Sequence, residues 1–170
     1  SAWNGSRIVA VGSRNNIFYS DDKGANWTKV DPSGDFAGGI LDFQGIAYGV
    51  QNGTGYYVAV GEDGWYAYST NGTSWTKAPD RLLESTTQAI AFGNGRFAFV
   101  QKVSPNSGYT YTFYTDDIAS GVTKGSNSIG GTNVSYVNMI YGNDRFVLRW
   151  CLLPNEDLER ILELLRSIDS

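Results

Sequence analysis

Two adjacent carboxylates beside an aromatic pair are the part of this sequence that comes nearest to a catalytic centre. Glu62 and Asp63 stand just before Trp65 and Tyr66. Paired carboxylates can act as general acid and general base on a glycosidic bond. Asp63 and the glycine after it are also a common hairpin turn, in which carboxylates are solvated. Because the chain has no histidine as an alternative base, we expect no catalytic residues and no enzymatic activity.

Aromatic side chains in the predicted loops indicate a second kind of chemistry, the binding of carbohydrate without turnover. Their flat apolar rings can stack on the faces of pyranose sugars. The candidates for such a site are Trp65, Tyr66, Tyr109 and Tyr111. The alternative is that these rings pack between sheets, where aromatic side chains bury large areas. We favour the packing alternative and keep a glycan as a candidate ligand.

The composition argues against several partners and cofactors. A formal net charge of −4 and a pI near 4.7 disfavour nucleic acid, because clustered lysine and arginine hold phosphate backbones. A single cysteine and no histidine leave neither an internal disulfide nor the usual metal ligands, so we expect no metal and no cofactor. We recognise no signal peptide and no segment of the ~20 apolar residues that span a bilayer. We expect a soluble protein that binds no membrane, and its location stays open.

One unit of strands and turns recurs along the chain and indicates the fold class. Apolar, strand-like runs recur every roughly 40 to 50 residues and align at Val9, Val58, Ala98 and Val147. In three copies an arginine precedes the run, which we ascribe to support of a turn or to a surface position: Arg7, Arg96 and Arg145. Such a period predicts an all-β protein, a β-propeller of four-stranded antiparallel blades, with about three to four blades per chain.

A turn of recurring composition closes each unit. Serine and aspartate side chains can accept hydrogen bonds from loop amides, glycine tolerates a positive φ, and tryptophan can cover the neighbouring blade. The first copy consists of Ser20, Asp22, Gly24 and Trp27. The second copy consists of Ser69, Asn71, Gly72 and Trp75. The third keeps Thr115 and Asp117 but has Val122 near the tryptophan position, so we expect looser packing there.

These turns resemble the Asp-box, or BNR repeat, of sialidase-like β-propellers. The resemblance covers about residues 3 to 150, and the first copy matches in full. In that family the boxes lie on the blade periphery, so the resemblance implies a fold rather than an activity. An active sialidase of the family would need an arginine cluster, a tyrosine nucleophile with a glutamate partner and an acid/base carboxylate. The sequence does not supply that set, which indicates a non-catalytic member or a fragment.

The repeats do not add up to a closed ring. We count about three strands in residues 6–30, four in 40–78, four in 87–125 and two in 134–153. Known propellers usually have four to eight blades, and unpaired strand edges invite indiscriminate pairing. The first blade lacks its first strand in this count, and residues 136–142 form a surplus run of matching pattern. We therefore expect a homo-oligomer in which copies complete the ring by strand exchange.

The character of the sequence changes after residue 153, and we divide the chain into blades at 1–153 and a C-terminal segment at 154–170. The apolar residues of this segment recur at helical spacing: Leu158, Ile161, Leu162, Leu165 and Ile168. They predict an amphipathic α-helix that is marginal by itself and must pack on another surface. That surface is the open end of the same chain or a partner chain, and the sequence leaves both alternatives open.

Three functions are compatible with these features. The favoured one is a non-enzymatic binding or assembly module that self-associates to complete its ring, with a glycan as its candidate ligand. The second is a sialidase-like glycoside hydrolase or a piece of one. The third is a structural subunit of a virion or other surface, or an engineered propeller, with the helix as its attachment device. We favour the first because the candidate catalytic carboxylates fall in a turn.

Overall fold

The computed structural model describes residues 1–30, 42–78, 81–82, 85–102, 109–130 and 135–151. These residues form antiparallel sheets in which neighbouring strands are consecutive in sequence. Blade I contains β1 (Ala2–Trp3), β2 (Ile8–Val11), β3 (Ile17–Ser20) and β4 (Thr28–Val30). Blade II contains β5 (Phe43–Gln51), β6 (Thr54–Gly61), β7 (Tyr66–Ser69) and β8 (Thr76–Lys77).

The remaining two blades follow the same order. Blade III contains β9 (Thr87–Gly93), β10 (Arg96–Lys102), β11 (Tyr109–Thr115) and β12 (Thr123–Gly130). Blade IV contains β13 (Ser135–Gly142) and β14 (Arg145–Cys151). The first strands of successive blades lie side by side, β1 against β5, β5 against β9 and β9 against β13. They therefore form one row from which the blades extend.

Two-residue turns join the first and second strands of blades II to IV. The turns are Asn52–Gly53, Asn94–Gly95 and Asn143–Asp144, and both residues of each have a positive φ. This backbone matches the right-handed twist of the flanking strands, and asparagine with glycine adopts it at low steric cost. The hairpin register, and with it the direction of every side chain on these strands, follows from these turns.

The core consists of layers between neighbouring blades rather than one central cluster. Alternate residues of β6 show why, because successive strand side chains point to opposite faces. Tyr57 and Ala59 are buried against blade I, whereas Val58 and Val60 are buried against blade III. A third layer joins blades III and IV and contains Val100 and Met139 among its buried residues. An inner blade therefore has two apolar faces, and a terminal blade has one covered face.

The structure confirms the all-β fold, the four strands of blades II and III, and the two of blade IV. The prediction that blade I lacks its first strand is wrong, because Ala2 pairs with Val9 and Trp3 with Ile8. A strand of two residues has no alternation by which a sequence pattern could reveal it. The predicted C-terminal helix and the boundary at residue 153 lie outside the described residues.

Candidate functional site

The first turn, residues 20–27, is held by side-chain hydrogen bonds. The Ser20 hydroxyl accepts from the Gly24 N–H at 2.8 Å and donates to the Asp22 carboxylate at 2.7 Å. That carboxylate also accepts from the backbone and side-chain N–H groups of Asn26 at 2.8 and 2.7 Å. These bonds, those from Asn26 foremost, lower the pKa of Asp22 to about 2. The Trp27 indole N–H donates to the Gly24 carbonyl at 3.1 Å.

The second turn, residues 69–75, repeats this scheme with an amide in place of the carboxylate. The Ser69 hydroxyl accepts from the Gly72 N–H at 2.8 Å. Asn71 Oδ1 accepts from the N–H groups of the two residues after Gly72, at 2.9 and 2.8 Å. The Trp75 indole N–H donates to the Gly72 carbonyl at 3.2 Å. Both glycines have a positive φ, 93° for Gly24 and 77° for Gly72, as the sequence predicted.

The third turn, residues 115–122, keeps the polar half of the scheme only. Thr115 Oγ1 accepts from the Asp117 N–H at 3.1 Å, and the Asp117 carboxylate accepts from the Ser120 hydroxyl at 2.7 Å. Val122 is half-buried against the core layer of blades II and III. Ile118 is buried in that layer, so an aliphatic residue within the turn contributes the apolar contact that tryptophan makes elsewhere.

A buried glutamine that sequence reasoning missed fastens this third turn to blade II. Gln51 Nε2 donates to the Thr115 carbonyl at 2.8 Å and to the Gly95 carbonyl at 3.1 Å. Its Oε1 accepts from the Ile118 N–H at 3.0 Å. The bonds to Thr115 and Ile118 are buried and the bond to Gly95 is partly buried, and buried hydrogen bonds are stronger than those in water. The polar bonds at this turn therefore compensate for the missing tryptophan.

The two tryptophans differ in burial although their local bonds agree. Trp75 is 7% exposed and packs in the layer between blades I and II, together with Val9. A Cβ placed on Gly72 would lie 2.7 Å from Val9 of blade I, so this turn touches the neighbouring blade. Trp27 is 45% exposed. Among the described residues, a Cβ placed on Gly24 would meet only side chains of blade I within 4 Å, so no other described blade packs on the first turn.

The periodic arginines support the turns, as predicted, at two of their three positions. The Arg7 guanidinium binds Asp21 through two bonds of 2.6 and 2.7 Å and lies 4.2 Å from the centroid of the Tyr19 ring. It also donates to the Asn71 carbonyl in the second turn. Arg96 repeats the pairing with Asp116 and Tyr114: two bonds of 2.7 Å and a ring centroid at 4.2 Å.

Each of these arginines also shifts the titration of its partner. The hydrogen bonds from Arg7 lower the pKa of Asp21, and those from Arg96 lower the pKa of Asp116. Arg145 is exposed. Each pair braces the junction between two strands, because the aspartate accepts from two guanidinium donors.

Three of the candidate glycan-binding aromatics pack in two different layers: Trp65 lies against the layer of blades I and II, whereas Tyr66 and Tyr111 lie in the layer of blades II and III. Tyr66 is buried, with its ring centroid 6.0 Å from that of Phe99, so it presents no face to solvent. The predicted packing alternative therefore describes Tyr66. Trp65 is half-buried, and the Lys77 ammonium lies 3.6 Å from the centroid of its ring.

Strand β11 contains the other two candidates. Tyr111 is half-buried, and the ammonium of Lys124 lies 3.7 Å from its ring centroid. Tyr109 begins the strand, where it pairs with Gly130. In both half-buried candidates, Trp65 and Tyr111, a lysine covers a ring face that a sugar would need.

The candidate acidic pair lies in a short helical turn, Glu62–Gly64, between β6 and β7. Glu62 and Asp63 are both exposed, whereas Tyr66 is buried. The two carboxylates therefore face solvent, while the tyrosine lies in the core. In the described part of the chain, no three cysteine, histidine or acidic side chains are grouped as metal ligands would be. No helix found there has both the length and the apolarity required to cross a bilayer.

Exposed apolar side chains concentrate on the outer faces of the two terminal blades. Trp3 and Trp27 of blade I are 60% and 45% exposed. Ile140 and Val147 of blade IV are 58% and 49% exposed, and they are partners across the β13–β14 ladder. Each pair occupies the face that points away from the rest of the array, where an inner blade would have a neighbour.

Repeated antiparallel sheets that pack face to face around a row of first strands define the class: the chain has a β-propeller fold. No protein-family model matches its sequence, and the comparison with curated proteins also found no match. The structure is similar to that of YCF48 bound to D1 peptide, with a TM-score of 0.51 and 16% sequence identity. The match covers 86% of this chain and 44% of that chain, so this chain spans less than half of that protein.

Proposed function

We propose that this protein is a non-enzymatic β-propeller module of the Asp-box type that associates with itself to complete its ring. The observation that carries the proposal is the pair of exposed apolar faces on blades I and IV. Trp3, Trp27, Ile140 and Val147 are exposed there, whereas their equivalents in the inner blades are buried or half-buried. A propeller whose blades do not close leaves both apolar faces and strand edges to solvent, which favours association.

Several features support membership of the Asp-box class. In the first two turns the serine hydroxyl accepts from the glycine N–H, and the tryptophan N–H donates to the glycine carbonyl. The spacing and the bonding recur together, which a chance match of residue types would not produce.

The absence of activity rests on the placement of the acidic pair. Glu62 and Asp63 are solvated in a turn, and Tyr66 is buried with its ring against Phe99. A nucleophile and its acid/base partner must reach one substrate atom from the same cleft. We expect no hydrolysis of a fluorogenic sialoside by the pure protein, and measurable turnover that Glu62→Gln abolishes would establish the glycosidase alternative.

Solution mass is the direct test of self-association. We expect light scattering coupled to size exclusion at 50 µM to give about twice the mass of the 18.6 kDa chain. A monomer at that concentration would contradict the proposal. Deletion of residues 154–170 separates the blade faces from the predicted helix as the cause of association. A dimer that persists after deletion supports the blades, and a monomer supports the helix as attachment device.

Ligand recognition by the assembled ring is a second candidate function. Two observations favour a peptide over a glycan as the ligand class. The similar propeller was solved bound to a peptide, and in this chain lysines cover the rings of Trp65 and Tyr111. A glycan array and a peptide array probed with the same labelled protein distinguish the two. Binding to glycans that Trp65→Ala removes would favour the carbohydrate alternative.

A further inference from the structure

The strand registers identify which residues are equivalent among the blades. Each first strand carries an aromatic residue one position before a site that is glycine in blades II to IV. These aromatic residues pair with the second strand as Trp3 with Ile8, Tyr48 with Tyr57, Phe92 with Phe97, and Tyr141 with Phe146. Trp3 is therefore the blade I equivalent of Phe92 and Tyr141.

Phe92 and Tyr141 each lie on a glycine of the preceding blade. A Cβ placed on Gly49 would lie 2.1 Å from the Phe92 ring, and one placed on Gly93 would lie 1.9 Å from the Tyr141 ring. Only a residue without a side chain leaves room for the ring at these two positions. The equivalent glycine of blade IV is Gly142, and no atom of the described residues lies within 4 Å of a Cβ placed there.

A second contact repeats in the same direction. The second turn, with Trp75, packs on Val9 of the preceding blade. The equivalent of Val9 in blade IV is Val147, since Val9 pairs with Ala2 and Val147 with Ile140 in the same register. The equivalent of Trp75 in blade I is Trp27. This chain therefore carries both sides of each contact. Trp3 and Trp27 of blade I form one side, and Gly142 and Val147 of blade IV form the other.

We propose that two copies of this chain join head to tail, with Trp3 of each on Gly142 of the other and Trp27 of each over the other's Val147 and Ile140. This inference rests on the proposed self-association and specifies its surfaces and its direction. The contact joins unlike faces, so a two-copy ring contains two such junctions. No strand leaves its own blade, because β1 already pairs with β2.

The distribution of exposure favours a second copy as the occupant. Among the described residues, the large hydrophobic side chains that are exposed are Trp3, Trp27, Val50, Ile140 and Val147. Four of these five belong to the two halves of the proposed junction, and the fifth, Val50, is on the inner blade II. A partner of unrelated sequence would need to complement both faces, whereas a second copy supplies both contacts that the chain already makes between its own blades.

Charge substitutions on each face provide the test. Trp3→Glu blocks one half of the junction and Val147→Glu the other, and Val50→Glu is the matched control with equal charge and 50% exposure at an unrelated site. Burial of an unpaired carboxylate opposes association strongly. We expect Trp3→Glu and Val147→Glu each to raise the dimer dissociation constant at least ~100-fold, with the Val50→Glu value within about threefold of the unsubstituted chain.

A mixture of the two disabled variants tests the direction of the contact. Trp3→Glu retains an intact blade IV face and Val147→Glu an intact blade I face, so an equimolar mixture should form a 1:1 complex through one junction. Analytical ultracentrifugation with one variant fluorescently labelled measures this complex. A contact between like faces predicts instead that one of the two variants dimerises normally, and that result would overturn the inference.

Gly142→Ala tests the proposed glycine contact without added charge. Because the methyl group enters open space in the single chain, the variant should fold normally and yet dimerise at least ~10-fold more weakly. Unchanged dimerisation of Gly142→Ala would overturn the placement of Trp3. A dimeric parent chain whose Trp3→Glu and Val147→Glu variants remain dimeric refutes the junction and leaves self-association standing. A monomeric parent chain refutes the proposed function itself.

Discussion

The first and second turns contain the same bonds and differ in what lies beyond them. In both, a serine hydroxyl accepts from a glycine N–H, and a tryptophan N–H donates to that glycine's carbonyl at 3.1 or 3.2 Å. Trp75 is nevertheless covered by blade I, whereas Trp27 has no preceding blade to cover it. The difference teaches that the turn forms its own geometry locally and that its contribution to stability depends on a neighbouring sheet.

Truncation of the two tryptophans should give the largest difference in the free energy of unfolding between the two turns. Trp75→Ala removes a buried ring and leaves a cavity between blades, so we expect the free energy of unfolding to fall by about 3 to 5 kcal/mol. Trp27→Ala should cost less than about 1 kcal/mol, because it removes one exposed hydrogen bond and little buried area. Urea unfolding in the Val147→Glu background keeps association out of both values. Equal losses would contradict the comparison.

The third turn sharpens the comparison, since it reaches the neighbouring blade without tryptophan. Gln51→Leu should destabilise the chain by about 3 kcal/mol, because it leaves the buried Ile118 N–H and Thr115 carbonyl without their side-chain partner. Urea unfolding measures the loss, and the exposed Gln44 serves as the control through Gln44→Leu. A fall in the free energy of unfolding of less than about 1 kcal/mol would mean that water takes over the hydrogen bonds of the Gln51 amide.

A pair of glycines distinguishes a covered blade face from an open one. Gly93→Ala places a methyl group 1.9 Å from the Tyr141 ring, and we expect a loss of about 1 to 3 kcal/mol as that ring is displaced. Gly142→Ala meets no atom within 4 Å in the part of the chain that the structure describes and should be neutral or slightly stabilising in the single chain. Thermal unfolding of both variants, in the Val147→Glu background, makes the comparison. A destabilised Gly142→Ala chain would show that its face is not open.

The smallest expected effect is a pH dependence that distinguishes the first turn from the second. The pKa of Asp22 is lowered to about 2 from an ordinary value near ~3.9, so the folded state binds fewer protons than the unfolded state between these values. The stability from Asp22 is then fully present above about pH 4 and is lost as the pH falls towards 2. Asn71 occupies the equivalent position in the second turn and does not titrate.

Asp22→Asn tests this assignment. Unfolding free energies from pH 6 to pH 2 should differ between the parent chain and the variant at the upper end and converge at the lower end. Asp21 and Asp116, whose pKa values are also lowered, remain in both proteins and cancel in the comparison. A difference that stays constant across this range would show that the carboxylate charge is irrelevant to the turn.

Local chemistry made much of the architecture predictable. Serine, aspartate and glycine bind one another within a few residues, and alternating apolar residues define strands, so the turns and four-stranded sheets of blades II and III followed from the chain order. The two-residue β1 escaped prediction, because it is too short to alternate. Gln51 escaped as well, since its partners Gly95 and Thr115 are 44 and 64 residues away in the chain.

The sequence by itself determined the repeated unit, the turn chemistry of Ser20 and Ser69, and the arginine that braces each of two turns, because these depend on neighbours in the chain or across one hairpin. Only the tertiary structure decided which of two equivalent tryptophans is covered, which glycine has a ring upon it, and that Tyr66 is buried. Burial is a property of how blades pack against one another, and two identical local motifs differ in it whenever one lies at the end of the array.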